Sequence, residues 1–300
     1  MGIVPGVFES RASESDSVGT CNSQMANQFT QKCQRHLKFK RVRLGRRMES
    51  VVTLPANGLE AATQIIDNAE RVGVRLRLLG GLAFKQLCPS SNERYHRENK
   101  DIDLMGRRED SKKIAKVMEG LGYKPREVFN KLNMGQRLIY YDLVNMRRVD
   151  LFLDEFIMCH KFNFKESILA GTYTLPITQL VMTKLQVVEK TDKEYLDLIA
   201  AFHDFDVTDR MTGIRGDEIA DLCSRDWGIY TTFRKSLESL LARAETLNSD
   251  EKSIVIPRVQ KLLTFMGGKP KSIAWKMRAR IGEKARWYDL PDTDNDTMLA

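Results

Sequence analysis

The chain has 300 residues, 42% of them hydrophobic and 29% charged, with a formal net charge of +8. No apolar run approaches the roughly 18 residues that a membrane span needs, and residues 1–30 are rich in Ser and Gln and lack an apolar leader-type stretch, so neither an integral membrane protein nor a secreted one is expected. Cys21, Cys33, Cys88, Cys159 and Cys223 are odd in number and far apart with no CxxC, which excludes a disulfide framework or a zinc site and favours a reducing, cytoplasmic setting.

The charge is unevenly placed. Residues 1–50 carry +5, residues 51–250 carry −1, residues 251–288 carry +8 and residues 289–300 carry −4. Basic segments near both ends suit nucleic acid, and they equally suit solvated helix faces.

In chain order, residues 1–48 read as a disordered basic tail, with a Ser-rich stretch from Ser10 to Ser23 and a basic run from Lys32 to Arg47. Such a segment buries too little apolar surface to offset its ordering entropy. Leu59, Ala62, Ile66, Ala69 and Val72 then recur at helical spacing, closed by Gly73. Val74, Leu76 and Leu78 alternate with arginines as a strand that runs into Gly80-Gly81. A short helix follows, then a polar loop from Pro89 to Lys100. Asp101-Ile102-Asp103-Leu104 reads as a second strand, and Ile114–Leu121 as a helix stopped by Gly122. The alternating runs Arg137–Leu143 and Arg147–Leu153 predict an antiparallel hairpin. After about Phe156 the strand pattern stops. Pro176 opens a helical run through Leu180, Lys184 and Val188, and Thr191 with Glu194 forms a capping box for the next helix. Further helices are predicted at 216–224, 229–246, 252–266 and 272–286. Residues 291–300 read as an acidic flexible tail.

Residues two apart on a strand share a face, so Asp101 and Asp103 present two carboxylates side by side while Ile102 and Leu104 face the core. Like charges this close repel unless a cation sits between them. Asp150 adds a third carboxylate from within the apolar run Val149–Leu153, and a strand beside Asp101–Leu104 would bring it to the pair. Three carboxylates suit Mg²⁺, or Mn²⁺ in its place, together with phosphates. Gly80-Gly81 marks a strand-to-helix turn, where missing Cβ atoms and the helix N-terminus favour a close phosphate.

Gly80-Gly81, Asp101-x-Asp103 and Asp150 together resemble the signature of the polymerase-β-type nucleotidyltransferase superfamily, over roughly residues 56–290. Within it the chain is most similar to AbiEii-like and related uncharacterised bacterial nucleotidyltransferases. Their helical domain carries T-K-x-x followed by K-D-x-x-D, matched here by Thr183-Lys184-Leu185-Gln186 and Lys193-Glu194-Tyr195-Leu196-Asp197. The resemblance implies an α+β protein: a small mixed-sheet catalytic domain over residues 55–158, followed by an all-helical domain over residues 159–290. It implies that Asp101, Asp103 and Asp150 are catalytic and hold the metal. Gly80, Gly81 and Lys184 would bind the nucleotide, with Asp197 positioning Lys184. The implied activity is Mg²⁺-dependent transfer of a nucleoside monophosphate from an NTP to a hydroxyl, with RNA as a possible acceptor and a toxin-like role. A non-catalytic nucleotide- or RNA-binding module of the same fold, and a small-molecule adenylyltransferase, are the alternatives.

Other residues carry two readings each. Arg97 and Lys100, with His96, either steer a triphosphate or solvate a loop. Cys159-His160 lacks partner ligands in the sequence and reads as a junction between domains. His203 with Asp204 and Asp206 reads as a helix-end contact. The basic residues from Lys269 to Arg286 surround Trp275 and Trp287, which suits RNA as well as a core-covering helix.

Overall fold

In the computed structural model, which describes residues 53–133 and 135–290, the first element is helix α1 (Gly58–Arg71). Its start is set by Asn57, whose side chain accepts from the Leu59 N–H at 2.8 Å. Its end is set by Gly73, at φ +73°, whose N–H returns to the Glu70 carbonyl. Ala62, Ile65, Ile66 and Ala69 form its buried stripe. The tails expected at 1–48 and 291–300 lie outside the described residues.

A five-stranded mixed sheet forms next. Its members are β1 (Leu76–Leu79), β2 (Ile102–Gly106), β3 (Lys124–Pro125), β4 (Arg137–Asp142) and β5 (Arg147–Leu153), in the spatial order β1-β2-β5-β4-β3. Only β2 and β5 run parallel; the other neighbours are antiparallel. The β4–β5 hairpin matches the alternation in the sequence. The polar loop holds a one-turn helix, α3 (Ser90–Glu93), after α2 (Gly80–Leu87). Helix α4 (Ser111–Gly120) packs beside α1, and α5 (Glu127–Asn133) lies on β4. Neither β3 nor α5 shows in the sequence pattern, since two residues and seven are too few for a period to emerge.

The strands do not stop at Phe156. β6 (Glu155–Ile157) and β7 (Lys161–Asn163) form a small hairpin, and β8 (Val207–Thr208) pairs with β9 (Ile214–Arg215). The hairpin forms because Phe156 and Phe162 stand opposite each other and bury together among residues that stay exposed or half-exposed. The rest is helical, as expected: α6 (Ile177–Leu185), α7 (Asp192–Asp204), α8 (Gly216–Arg225), α9 (Trp227–Ala244), α10 (Ser249–Gly268) and α11 (Ile273–Ile281). The Thr191–Glu194 capping box is present. Helix α6 ends earlier than its apolar spacing predicts, and past its end the Lys190 ammonium turns back onto the Leu185 and Val187 carbonyls. Lysine at a helix end meets the terminal carbonyls favourably.

Sheet and helices share one apolar core, which includes Leu78, Leu104 and Leu151 from strands and Leu180, Leu198, Phe202, Phe233 and Leu262 from helices. The chain is therefore α+β, a small mixed sheet followed by helices. Among the described residues no helix is long and apolar enough to cross a membrane. Loop residues 88–100 fasten the two parts together. The Ser90 N–H and hydroxyl both donate to Asp204, at 3.0 and 2.8 Å, and the Tyr95 ring meets the His203 ring edge-on at 5.9 Å.

Phe202 is fully buried on α7. Phe202→Ala should cost about 3–5 kcal/mol, the range for emptying a buried aromatic site. A urea unfolding curve that loses sheet and helix signals together would show that the core is common to both.

Candidate active site

The site grows from the one parallel pairing in the main sheet. In the β2–β5 register Asp103 stands opposite Asp150, so their side chains share a face of the sheet. Asp101 lies one residue before β2 begins, two residues from Asp103 on the same face. Leu104, Val149 and Leu151 are fully buried. Asp150 is 5% exposed, Asp103 is half-buried and Asp101 is exposed.

The three carboxylates act on one another. Burial, with the Asp150 charge next, raises the Asp101 carboxyl above its ordinary value. Burial and the Asp150 charge, helped by Asp101 and opposed by Lys184 and Arg137, push Asp103 up to about 7. Asp150 is held by two guanidinium groups. Arg137 reaches it at 2.7 and 2.9 Å, and Arg148 at 2.8 Å.

The glycine turn lies directly against this cluster. Gly80 has φ +65°, and a Cβ there would fall 2.0 Å from an Asp103 carboxylate oxygen. A Cβ on Gly81 would fall 1.8 Å from the Arg97 guanidinium and 2.0 Å from the Asn99 side-chain oxygen. A side chain at Gly80 would strain the backbone and displace the Asp103 carboxylate, and one at Gly81 would push aside the Arg97 and Asn99 side chains. Gly80 and Gly81 open α2, so its N-terminus meets the carboxylate cluster on one side and the 97–99 loop on the other.

Lys184 comes from α6 and Asp197 from α7. The Lys184 ammonium sits 2.9 Å from Asp197 and 3.6 Å from Glu194, and only 12% of its side chain is exposed. Lys184 makes its ion pair with Asp197 on α7, while its charge still bears on Asp103. Arg97 forks onto the same Asp197 with two 2.8 Å bonds. Burial opposes ionisation of Asp197, but Lys184 and Arg97 outweigh it and hold the carboxyl below the ordinary range. Arg97, His96 and Lys100, with Lys85, line a cavity of about 270 Å³ that abuts Asn57 and Gly58 at the start of α1.

Magnesium and manganese take oxygen ligands. Asp101 and Asp103 supply them, and burial with the Asp150 charge raises both carboxyls, a cost that a cation beside them would relieve, so these residues fit such an ion. Among the described residues no group of three or more His, Cys, Asp or Glu side chains stands ready to hold a metal; Asp150 meets Arg137 and Arg148 instead. Among the described residues, His160 and His203 have structural partners. His160 Nε2 lies 2.8 Å from the Thr232 hydroxyl, and His203 Nδ1 lies 2.8 Å from Asp204. Arg137 and Arg148 are the site residues that sequence reasoning passes over. Strand parity carries the signal for Arg148, which is two residues from Asp150, while Arg137 is reached only through the β4–β5 register.

No family model and no curated protein matches the chain. Among solved structures it is similar to the antibiotic-resistance factor ANT(2'')-Ia, at 13% identity over 48% of this chain and 82% of that one, with a TM-score of 0.33. It is also similar to the STING-associated CdnE c-di-GMP synthase from Capnocytophaga granulosa, at 12% identity over 82% of this chain and 92% of that one, with a TM-score of 0.24. Likenesses this remote do not bear on chemistry.

A carboxyl raised in the folded chain makes the fold less stable as pH climbs from the ordinary value of 3.8 to about 7, because the unfolded chain releases that proton first. Asp103→Asn removes this loss. The variant should be more stable than the parent by about 1–3 kcal/mol at pH 8, with solvent at the open edge screening part of the full effect, and equal to it near pH 4. Thermal melts across that range check it, and a pH-independent difference would contradict the buried charge.

Proposed function

We propose that the chain is a metal-dependent nucleotidyltransferase that moves a nucleoside monophosphate from an NTP to an acceptor hydroxyl. One observation carries the reading: Asp103 and Asp150 face each other across a parallel strand pair, against a positive-φ glycine turn that opens a helix. The AbiEii-like resemblance of Thr183-Lys184 and Lys193–Asp197 points the same way. It leads to RNA as the acceptor and a toxin-like role, with the basic segment at 251–288 as the RNA contact.

Asp101 and Asp103 would hold Mg²⁺ or Mn²⁺, and Asp150 would join them on releasing a guanidinium. Bound there, the ion would neutralise charge on the phosphates and on the attacking and leaving oxygens. The Gly80-Gly81 backbone at the start of α2 receives the phosphates, where a helix N-terminus favours negative charge. Lys184, aimed by its ion pair with Asp197, supplies a cation next to them. Asp150 orients the acceptor hydroxyl and takes its proton. The hydroxyl oxygen bonds to the α-phosphorus, the bond from that phosphorus to the bridging oxygen breaks, and pyrophosphate leaves with the electron pair. Catalysis of this kind is mostly positioning and electrostatics.

A second reading is a non-catalytic nucleotide- or RNA-binding module of the same fold. It is favoured by the fact that Lys184, Arg97 and Asp150 already have charged partners. Incubation with each α-labelled NTP and total RNA, with and without Mg²⁺, separates the two: transfer requires label on an acceptor only when Mg²⁺ is present. Asp101→Asn should abolish that labelling and leave the melting temperature within a few degrees. Lys184→Ala should weaken NTP binding by about 1.5–3 kcal/mol, the scale of a charge-assisted hydrogen bond. Calorimetry showing unchanged NTP affinity would make Lys184 an ion-pair residue only.

A further inference from the structure

The cavity bounded by the start of α1, by α2 and by residues 96–100 has no task in nucleotidyl transfer as proposed. Neither the three carboxylates nor Lys184 nor Asp197 lines it. Arg97 and Asn99, which lie over Gly81, form the wall between it and the glycine turn. Its surface is rich in donors. Lys85 from α2 is half-buried, and His96 and Lys100 stand exposed on the loop. Neither lysine ammonium has an ion-pair partner among the described residues. Glu98, exposed, is the one acid among the lining residues. The Arg97 guanidinium forks onto Asp197 and gives a further N–H to the Glu98 carbonyl at 3.3 Å.

A second guanidinium stands behind the Gly58 wall. Arg147 is 5% exposed; its Nη2 donates to the Pro55 and Ala56 carbonyls at 2.9 Å and lies 3.6 Å from Asp142. Its Nη1 is buried with no hydrogen-bond partner, 3.7 Å from where a Gly58 Cβ would sit. The missing Cβ therefore thins the cavity wall where a buried cation has a donor to spare. A buried donor without an acceptor is costly, and hydrogen bonds from cations to oxyanions are short and strong. At about 270 Å³ the cavity falls just below the ~300–1,000 Å³ of cofactor-sized sites, room for one or two phosphates and not for a whole nucleoside triphosphate. We propose that this cavity is a phosphate site, with Lys85 and Lys100 as its ligands and the Arg97 and Arg147 guanidiniums as fixed charge in its walls. Nucleotidyl transfer calls on the carboxylates, the glycine turn and Lys184, so the phosphate site goes beyond it.

Inorganic pyrophosphate, titrated calorimetrically into the full chain in EDTA, probes the cavity without turnover and with no cation to draw phosphate to the carboxylates. Saturable binding at or below about 1 mM is expected. Lys85→Met and Lys100→Met should each weaken it roughly tenfold, the loss of one hydrogen bond to a charged group, with melting temperatures within a few degrees of the parent. Magnetic resonance adds a local reading. The His96 ring signals should move during the titration, while those of His160 and His203, held by Thr232 and Asp204, should stay. Competitors in the same buffer identify the source of the phosphate. Displacement by NTP makes it the tail of the donor, displacement by ribose 5-phosphate and not by NTP makes it a separate phosphorylated compound, and displacement by neither leaves the inorganic ion. No saturable binding in the parent chain, unchanged affinity in both lysine variants, or stationary His96 signals overturns the inference. Mg²⁺-dependent label transfer can persist in each of these cases, so the phosphate site and nucleotidyl transfer fail independently.

Discussion

Like-charge repulsion at the open edge of the sheet is the constraint around which the other features are arranged. Asp103 and Asp150 face each other across β2 and β5, with Asp101 two residues away, and burial together with the Asp150 charge raises the carboxyls of Asp101 and Asp103. Each neighbouring device answers that charge. Arg137 and Arg148 hold Asp150, and Lys184 lowers the cost at Asp103 from the helical side. The glycine at 80 leaves room for the Asp103 carboxylate against the backbone. Three acids are thus kept together against this opposition.

The helices hold the site through a few directed contacts as well as through the common core. Asp197 on α7 draws Lys184 from α6 and Arg97 from the loop to one carboxylate. Asp204, two turns further along the same helix, holds Ser90 and His203. One helix thus positions both the cation above the glycine turn and the loop that covers it. The loop of residues 89–100, which reads as a polar loop in the sequence, is the fastening between sheet and helices.

Much of this was legible in the sequence wherever a period or a cap was long enough to register. The β4–β5 hairpin, the Asn57-led helix, the Thr191–Glu194 cap and the four helices after residue 215 follow from alternation, helical spacing and capping chemistry. The same-face placing of Asp101 and Asp103 followed from strand parity. The β6–β7 hairpin was not legible, because three-residue strands contain one buried residue each. The early end of α6, where a lysine side chain reaches back five residues to Leu185, is not revealed by spacing. The pairing of Arg137 with Asp150 depends on register across two strands, and register is a tertiary fact.

The order of strands also bears on how the chain folds. β4 and β5 meet through a tight local turn, whereas β2 reaches β5 only after the whole segment from Arg107 to Met146 has been placed. Closing that long loop costs more entropy than closing the hairpin, and non-local pairings form late. Asp103 and Asp150 therefore come face to face after the local hairpin has formed. Interactions absent from the transition state act on the unfolding rate. The electrostatic cost of the site then hastens escape from the native state and leaves the rate of reaching it almost untouched. A cation seated among these acids would lengthen the lifetime of the native chain without making it fold sooner.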